Sequence, residues 1–241
     1  MRSLLRRCIE AVTQVLCYMK RDVEVTPRAL NQDGLVKVNL GCGLAVAKGW
    51  TNVDASLNAL VASWPSVFHR LLYRFSGANR YYSLFDYCAL LQNHVFLHRD
   101  LSRGLSFPDQ SVDYLYCSHF LEHLSRPEAL HLLKESHRVL KPTGTFRICV
   151  PDLAYAVSLY AQGASKTMLA NYFFVEDLDS SMARHRYMYD YMLLEAALRE
   201  AGFASVTSCS YRQGITPDLQ VLDNRPEDTL FVEATKSATA A

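Results

Sequence analysis

The 241-residue sequence predicts an α/β fold built on a mostly parallel seven-stranded sheet with an antiparallel last strand. Three observations carry that expectation. From residue 35 onward, short apolar runs alternate with longer helical stretches, the pattern of strands crossed over by helices. The runs end at polar residues or turn signals. The first of them, LVKVNL at 35–40, leads directly into Gly41-Cys42-Gly43, so a tight turn follows the first strand.

Taken in order, the strands are expected at 35–40, 51–54, 95–100, 112–117 and 145–150, with two more at 203–211 and 229–235. The last two should pair antiparallel through the polar connection QGITPDLQVLDNRPED. A helix is expected over 127–140, with Ser125 as its cap, Pro127 in its first turn and LKPTG as its stop. Another runs over 187–201, where Leu194, Leu198 and Ala201 form one stripe before Gly202. The final KSATAA should fray.

Residues 1–34 read as an N-terminal arm and 35–241 as the main domain. Within the first 22 residues, Leu5, Cys8 or Ile9, Val12, Val15 or Leu16, and Met19 recur at helical spacing, with Arg2, Arg6, Arg7, Lys20 and Arg21 near the ends. Packing on the protein's own domain is the expected role of this amphipathic helix, because Glu10 and Asp22 dilute its charge. Peripheral contact with a membrane surface or a partner is the alternative. Residues 55–94 hold eight aromatics and are too long and apolar for a plain loop, so an irregular helical insertion is expected there, as packing or as a lid.

Composition excludes several classes. With 25 Lys+Arg against 24 Asp+Glu and half the residues hydrophobic, the chain is neither disordered nor a generator of a broad positive field, so no nucleic-acid partner is expected. Seven scattered cysteines form no C-x-x-C pair and read as reduced, mostly buried thiols. No apolar run approaches the roughly 18 residues of a membrane span, and a cytoplasmic location is expected, with contact at the inner face of the membrane as its variant.

Chemistry concentrates at the strand ends. Gly41 and Gly43 permit positive φ and close backbone approach at the carboxyl end of a parallel strand, where open α/β sheets bind cofactors. Asp54 ends the second strand and can accept both hydroxyls of a ribose. Asp100 ends the third, where a carboxylate and the next backbone N–H can read an adenine edge. A glycine turn with two carboxylates on consecutive strand ends reads as a nucleoside site.

This constellation resembles the class I S-adenosylmethionine-dependent methyltransferases, of the type 11 branch, whose sheet is Rossmann-like. SFPDQSVDYLYCSHFLEHL at 106–124 looks like that family's fourth-strand block, SHRVLKPTGTFRICVPD at 136–152 like its helix and fifth strand, and HRYMYDYMLLEAALREAGF at 185–203 like its penultimate helix. The resemblance implies that Gly41, Cys42 and Gly43 line the methionine part of S-adenosylmethionine, that Asp54 binds ribose, and that Asp100 with Leu101 binds adenine. Ser118 and His119 would face the sulfonium and the acceptor, and S-adenosylhomocysteine would be the product. Two departures stand out. Ala45 replaces a third glycine, and only about ten residues separate Gly43 from Asp54, too few for a crossover helix with its loops; Lys48, Gly49 and Trp50 are expected in its place. Thr143 also stands where a second glycine is common, and Asp113 is expected to support the fold.

His119-Phe120-Leu121-Glu122-His123 also matches H-x-x-E-H, a zinc-hydrolase signature in which two histidines would bind metal and Glu122 would act as base. The family resemblance accounts for the same letters without metal and no third ligand is identifiable in the sequence, so no metal is expected. For methyl transfer to a hydroxyl, His119 is the first choice of general base, since imidazole accepts protons near neutral pH. Glu122 or His123 would orient it or serve instead, with His185 further off. Structural, hydrogen-bonded roles are expected for His123, His137 and His185. Tyr155, Tyr160, Tyr172, Phe173 and Phe174 are expected to pack in the core rather than wall an acceptor pocket. The expected acceptor is a sugar, glycan or small-molecule hydroxyl; a non-catalytic cofactor sensor of the same fold is the alternative, and the oligomeric state is left open.

Overall fold

Each of the seven apolar runs becomes a strand. A computed structural model describes residues 2–19, 23–173 and 184–236, with side chains described from residue 11 of the first segment. The readings placed on Phe174, on the basic ends of the N-terminal helix and on the end of KSATAA fall outside these residues. The strands are β1 (Lys37–Leu40), β2 (Thr51–Asp54), β3 (Val95–His98), β4 (Val112–Ser118), β5 (Leu140–Pro151), β6 (Ser205–Cys209) and β7 (Thr229–Thr235). They form one sheet in the order β3-β2-β1-β4-β5-β7-β6. β1 to β5 pair in parallel, and β7 runs antiparallel to both β5 and β6.

The helices are α1 (Arg2–Met19), α2 (Leu57–Val61), α3 (Ser66–Leu72), α4 (Leu84–Asn93), α5 (Arg126–Val139), α6 (Leu153–Ala161), α7 (Ser165–Met168), α8 (Tyr191–Glu200) and α9 (Leu219–Leu222). The insertion over 55–94 is helical as expected. Its α2, α3 and α4 gather a small core of Val61, Ala78, Tyr87 and Leu91, while Trp64, Phe68, Phe75, Tyr81 and Phe85 remain exposed. Among the described residues no helix is long and apolar enough to cross a membrane. The N-terminal helix touches the domain through buried Thr13 and Cys17, whose Sγ lies 3.2 Å from His98 Nε2.

Period-two alternation assigns each strand residue to one of two faces. Val38, Leu40, Leu115, Cys117, Phe146, Ile148 and Val232 share a core with Leu132 and Leu133 of α5 and Leu194 and Leu198 of α8. Tyr116, Cys149 and Phe231 point the other way, where they meet Ala47 and Trp50 from the β1–β2 turn and Leu219 and Leu222 of α9. The connection between β6 and β7, expected to be merely polar, is therefore a second-face cover with its own buried leucines.

Several boundaries move for local reasons. β3 stops at His98 because Asp100 accepts the Ser102 N–H at 3.1 Å and caps a 3-10 turn over Leu101–Arg103. β5 starts at Leu140, opposite Val112, slips across the segment holding Pro142, which lacks a ladder donor, and resumes at Thr145 opposite Tyr114. Asp113 holds this irregularity, accepting the Val36 N–H at 2.9 Å and Lys141 Nζ at 2.7 Å. α8 begins at Tyr191, later than expected, because Asp190 caps it through the Leu193 N–H while Tyr189 bridges to Asp152 as extended chain. The described cysteine side chains are free thiols, with Cys17, Cys42, Cys117 and Cys149 buried.

On the second face Arg147 is fully buried. Its guanidinium meets Asp223 Oδ2 at 2.6 Å and Oδ1 at 3.1 Å and donates to the carbonyls of Ser210 and Gln213, which ties β5 to the β6–β7 connection. Removing one partner of such a pair strands the other charge in the interior. Asp223→Ala should therefore lower unfolding free energy by about 3–5 kcal/mol, read as a shifted denaturation midpoint; an unchanged midpoint would show that the pair does not hold the connection down.

Candidate active site

The strand order reverses at β1, which has β2 on one side and β4 on the other. Crevices of open α/β sheets form at the carboxyl ends of the strands at such a reversal. Leu40, the last residue of β1, lies opposite Val53 of β2 and Cys117 of β4, so Gly41, Asp54 and Ser118 emerge at one edge.

Gly41 and Gly43 both have positive φ, +64° and +50°. A Cβ on Gly41 would fall 2.3 Å from the Phe120 ring, so only glycine lets the loop after β4 close onto the turn. A Cβ on Gly43 would meet nothing within 4 Å, leaving an open side beside the strand end. Asp54 Oδ2 accepts the Gly43 N–H at 2.8 Å and Oδ1 accepts the Ser56 N–H at 2.7 Å. Each carboxylate oxygen retains acceptor capacity, which suits a ribose diol. Cys42 is buried, and burial followed by the neighbouring Asp54 charge raises its thiol well above the ordinary range, so it lines the turn as a neutral group.

No helix joins β1 to β2. Lys48, Gly49 and Trp50 do occupy that place: Trp50 is buried, and its Nε1 donates to Asp218 Oδ2 at 2.8 Å across to the β6–β7 connection. Asn39 Nδ2 donates to the Ala45 carbonyl at 2.8 Å and to Asn52 Oδ1 at 3.1 Å, fixing the turn from beneath. The aromatic insertion reaches the same turn, where Tyr82 donates its hydroxyl to the Leu44 carbonyl at 3.3 Å.

Asp100 and Leu101 stand in the turn after β3. Asp100 Oδ1 also accepts the Ser102 hydroxyl at 2.7 Å, Oδ2 accepts Arg103 Nε at 3.2 Å, and Leu101 is buried.

After β4 the chain turns sharply. Ser118 ends the strand and His119 takes φ +50°, an uncommon conformation for a non-glycine residue, with its N–H bonded to the Cys149 carbonyl at 2.8 Å. The His119 Nε2 lies 3.2 Å from Thr229 Oγ1, and its Nδ1 lies 3.5 Å from Glu122 Oε1. Glu122 is 1% exposed, and its Oε2 has no hydrogen-bond partner. Burial alone would raise its carboxyl, yet the imidazoles of His119 and His123 hold it below the ordinary range. His123 Nε2 is 3.8 Å from Glu122 Oε1. His185, distant in sequence, sets its ring 5.1 Å from that of His123, tilted by 57°.

The structure thus brings His119, Glu122 and His123 together and adds His185, Thr229 and Phe120. His185 arrives because the Glu122 carbonyl accepts the N–H groups of Arg186 and Tyr187, at 2.7 and 3.2 Å, a tertiary contact that no local sequence signal announces. His137 lies apart, against Phe203 and Gly202. Of the aromatics assigned to the core, Tyr172 is buried and donates to Asp228 Oδ2 at 2.6 Å. Tyr155, Tyr160 and Phe173 are instead exposed, because α6 and α7 lie outside the sheet core; Tyr160 and Phe173, with Val157, Met168 and Leu169, line an open apolar cleft of about 330 Å³.

Residues 71–148 match the family model described as a methyltransferase domain, a span that contains Asp100, Leu101, Ser118, His119, Glu122 and His123. A comparison with curated proteins returns no match. Among solved structures, the chain is similar to a possible exported protein from Bordetella parapertussis, at 14% identity over 92% of this chain and 65% of that one, with a TM-score of 0.49. It is similar to the methyltransferase SibL in its apo form at 20% identity, over 83% of this chain and 50% of that one, TM-score 0.49. A methyltransferase from Archaeoglobus fulgidus aligns at 16% identity over 96% and 94% of the two chains, TM-score 0.48. The chain spans 65% and 50% of the length of the first two. Residues 71–148 thus match a methyltransferase domain, in a sheet whose strand order reverses beside a glycine turn and an acidic strand end.

Proposed function

We propose that the protein transfers a methyl group from S-adenosylmethionine to a hydroxyl oxygen of a sugar, glycan or small molecule. The observation that carries this reading is the Asp54 carboxylate bound to the Gly43 N–H at the reversal of the sheet, with open space above Gly43. That pairing orients the two acceptor oxygens of the carboxylate beside a turn that admits backbone contact.

In this reading Gly41, Cys42 and Gly43 hold the methionine part of the cofactor, Asp54 the ribose, and Asp100 and Leu101 the adenine, while Ser118 stands by the reacting centre. S-adenosylmethionine supplies, when bound, an electrophilic methyl carbon on a sulfonium. The chain's own task is to hold an acceptor oxygen in line with that carbon and to take its proton. His119 is the group we assign to the proton, through an imidazole that Glu122 orients at Nδ1 and Thr229 contacts at Nε2. His123 lies 3.8 Å from the same carboxylate oxygen, placed to support its orientation. The open cleft lined by Tyr160 and Phe173 offers apolar surface for the body of an acceptor.

Calorimetric titration with S-adenosylhomocysteine tests the cofactor site. Asp54→Ala removes charge-assisted hydrogen bonds worth about 1.5–3 kcal/mol, so its affinity should fall roughly 10- to 100-fold below the parent's; a folded parent that does not bind would overturn the reading. The His119 assignment makes a separate claim. Release of S-adenosylhomocysteine in the presence of sugar or small-molecule alcohols should drop by about 10²–10⁴ in His119→Ala while its affinity for the product stays that of the parent. Turnover unchanged in that variant would remove His119 from the chemistry, and a parent that binds but releases no product with any acceptor would favour a cofactor sensor.

A further inference from the structure

We infer that Glu122, His123 and His185 form a binding site for a divalent cation of the zinc class, a ligand set that the sequence reading did not contain. One ligand atom from each of the three residues lies within 4.8 Å of those of the other two. The sequence placed His119 and His123 as the histidine pair; the structure replaces His119 with His185.

Tautomer chemistry makes this more than proximity. His123 Nδ1 lies 3.1 Å from the Arg184 carbonyl, and His185 Nδ1 lies 2.7 Å from the Tyr172 carbonyl. A carbonyl only accepts, so each Nδ1 carries the proton and each Nε2 presents a lone pair. This is the arrangement by which a metal-ligating imidazole is oriented and its basicity raised: the far ring nitrogen donates to a backbone carbonyl.

The carboxylate supplies an independent observation. Glu122 is almost wholly buried, yet its Oε2 has no hydrogen-bond partner, and His123 Nε2 at 3.8 Å is too far from Oε1 to hydrogen-bond. An unsatisfied carboxylate oxygen in the interior costs free energy unless a partner meets it. A cation held by the two imidazoles and this carboxylate would supply such a partner to the Glu122 side chain. Bonds of about 2.0–2.2 Å to a tetrahedral ion place neighbouring ligand atoms about 3.3–3.5 Å apart, so the three groups need only a modest closure. Two histidines and one carboxylate leave the fourth position for water or for a substrate oxygen.

The binding site stands on its own ligands. Its use in catalysis, as a Lewis acid on the acceptor hydroxyl, rests on the methyl-transfer reading above.

The test uses the full chain, stripped with chelator and titrated with Zn²⁺ by calorimetry and with Co²⁺ by visible absorption. The parent should bind one equivalent of Zn²⁺ and give an intense tetrahedral Co²⁺ spectrum. His185→Ala and Glu122→Gln should each weaken Zn²⁺ binding by at least about 100-fold, ligand loss exceeding the 10- to 100-fold cost of disturbing an outer partner, while His94→Ala, at a histidine outside the cluster, should not. Circular dichroism and S-adenosylhomocysteine affinity check that the variants fold; should Glu122→Gln fail there, His185→Ala decides. Absence of stoichiometric Zn²⁺ binding in the parent, binding of Mg²⁺ in its place, or undiminished binding in His185→Ala would overturn the site. A parent that binds Zn²⁺ but not S-adenosylhomocysteine would leave the site standing and remove the methyl-transfer reading.

Discussion

The constraint on which the rest depends is the parallel pairing of β1 and β2 across a connection too short for a helix. Parallel strands ordinarily return through a crossover of a dozen or more residues, and that helix covers one face of the sheet. Here ten residues, 41–50, close the gap. They do so with two positive-φ glycines, with the N–H groups of Gly41 and Cys42 directed at the Val53 carbonyl, and with Gly43 bound to Asp54. The turn that would bind a nucleoside is therefore also the turn that makes the parallel pair possible. Loss of Asp54 removes an acceptor from both tasks at once.

The missing helix leaves the second face to be covered by other means. Trp50 fills part of it from the turn itself, and α9 with its flanking loops comes from the far end of the chain to meet it. The contact is closed by Trp50 Nε1 on Asp218, which lies also 3.4 Å from Lys37 Nζ. Because irregular segments rather than a regular helix pack there, the face carries polar side chains that satisfy loop backbone: Asn39 and Asn52 under the β1–β2 turn, Arg147 and Glu233 under the β6–β7 connection. Buried polar groups are tolerable when paired, and these fix one geometry for loops that apolar packing would leave interchangeable. The helix-covered face, by contrast, is purely apolar over Val38, Leu40, Leu115 and Ile148.

How much of this was legible follows from the range of the signals. All seven strands could be read because apolar period and turn residues are local, and the place of Asp54 at a strand end was legible for the same reason, whereas Asp100 falls in the turn beyond β3. The missing crossover was legible as a residue count. What covers its face was not, since QGITPDLQVLDNRPED shows only two buried leucines in a polar run, and their partner Trp50 lies some 170 residues away. The same limit left His185 an outside candidate rather than a member of the cluster. H-x-x-E-H is a local spacing, but a histidine donated by the segment before α8 depends on the Glu122 carbonyl accepting Arg186 and Tyr187, and no periodicity encodes that. The boundary at Leu140 was missed because Pro142 reads as a stop, while the sheet absorbs it as an irregularity held by Asp113.

The loop after β4 joins these threads. His119 is held in a left-handed conformation by its N–H on the Cys149 carbonyl, and Phe120 can then lie against Gly41, where no side chain would fit. The strain at His119 turns the chain over, so that Glu122 enters the interior with the imidazoles of His119 and His123 near its Oε1. A carboxylate buried there is costly, and the surrounding core would accept an apolar residue with less penalty. The sequence places it against the imidazoles of His119 and His123, and the carbonyls of Arg184 and Tyr172 fix His123 and the neighbouring His185 from behind. The glycine turn and the Glu122 cluster are thus mechanically one unit, coupled through Phe120. A ligand that displaced the Phe120 ring from Gly41 would move the backbone that positions Glu122.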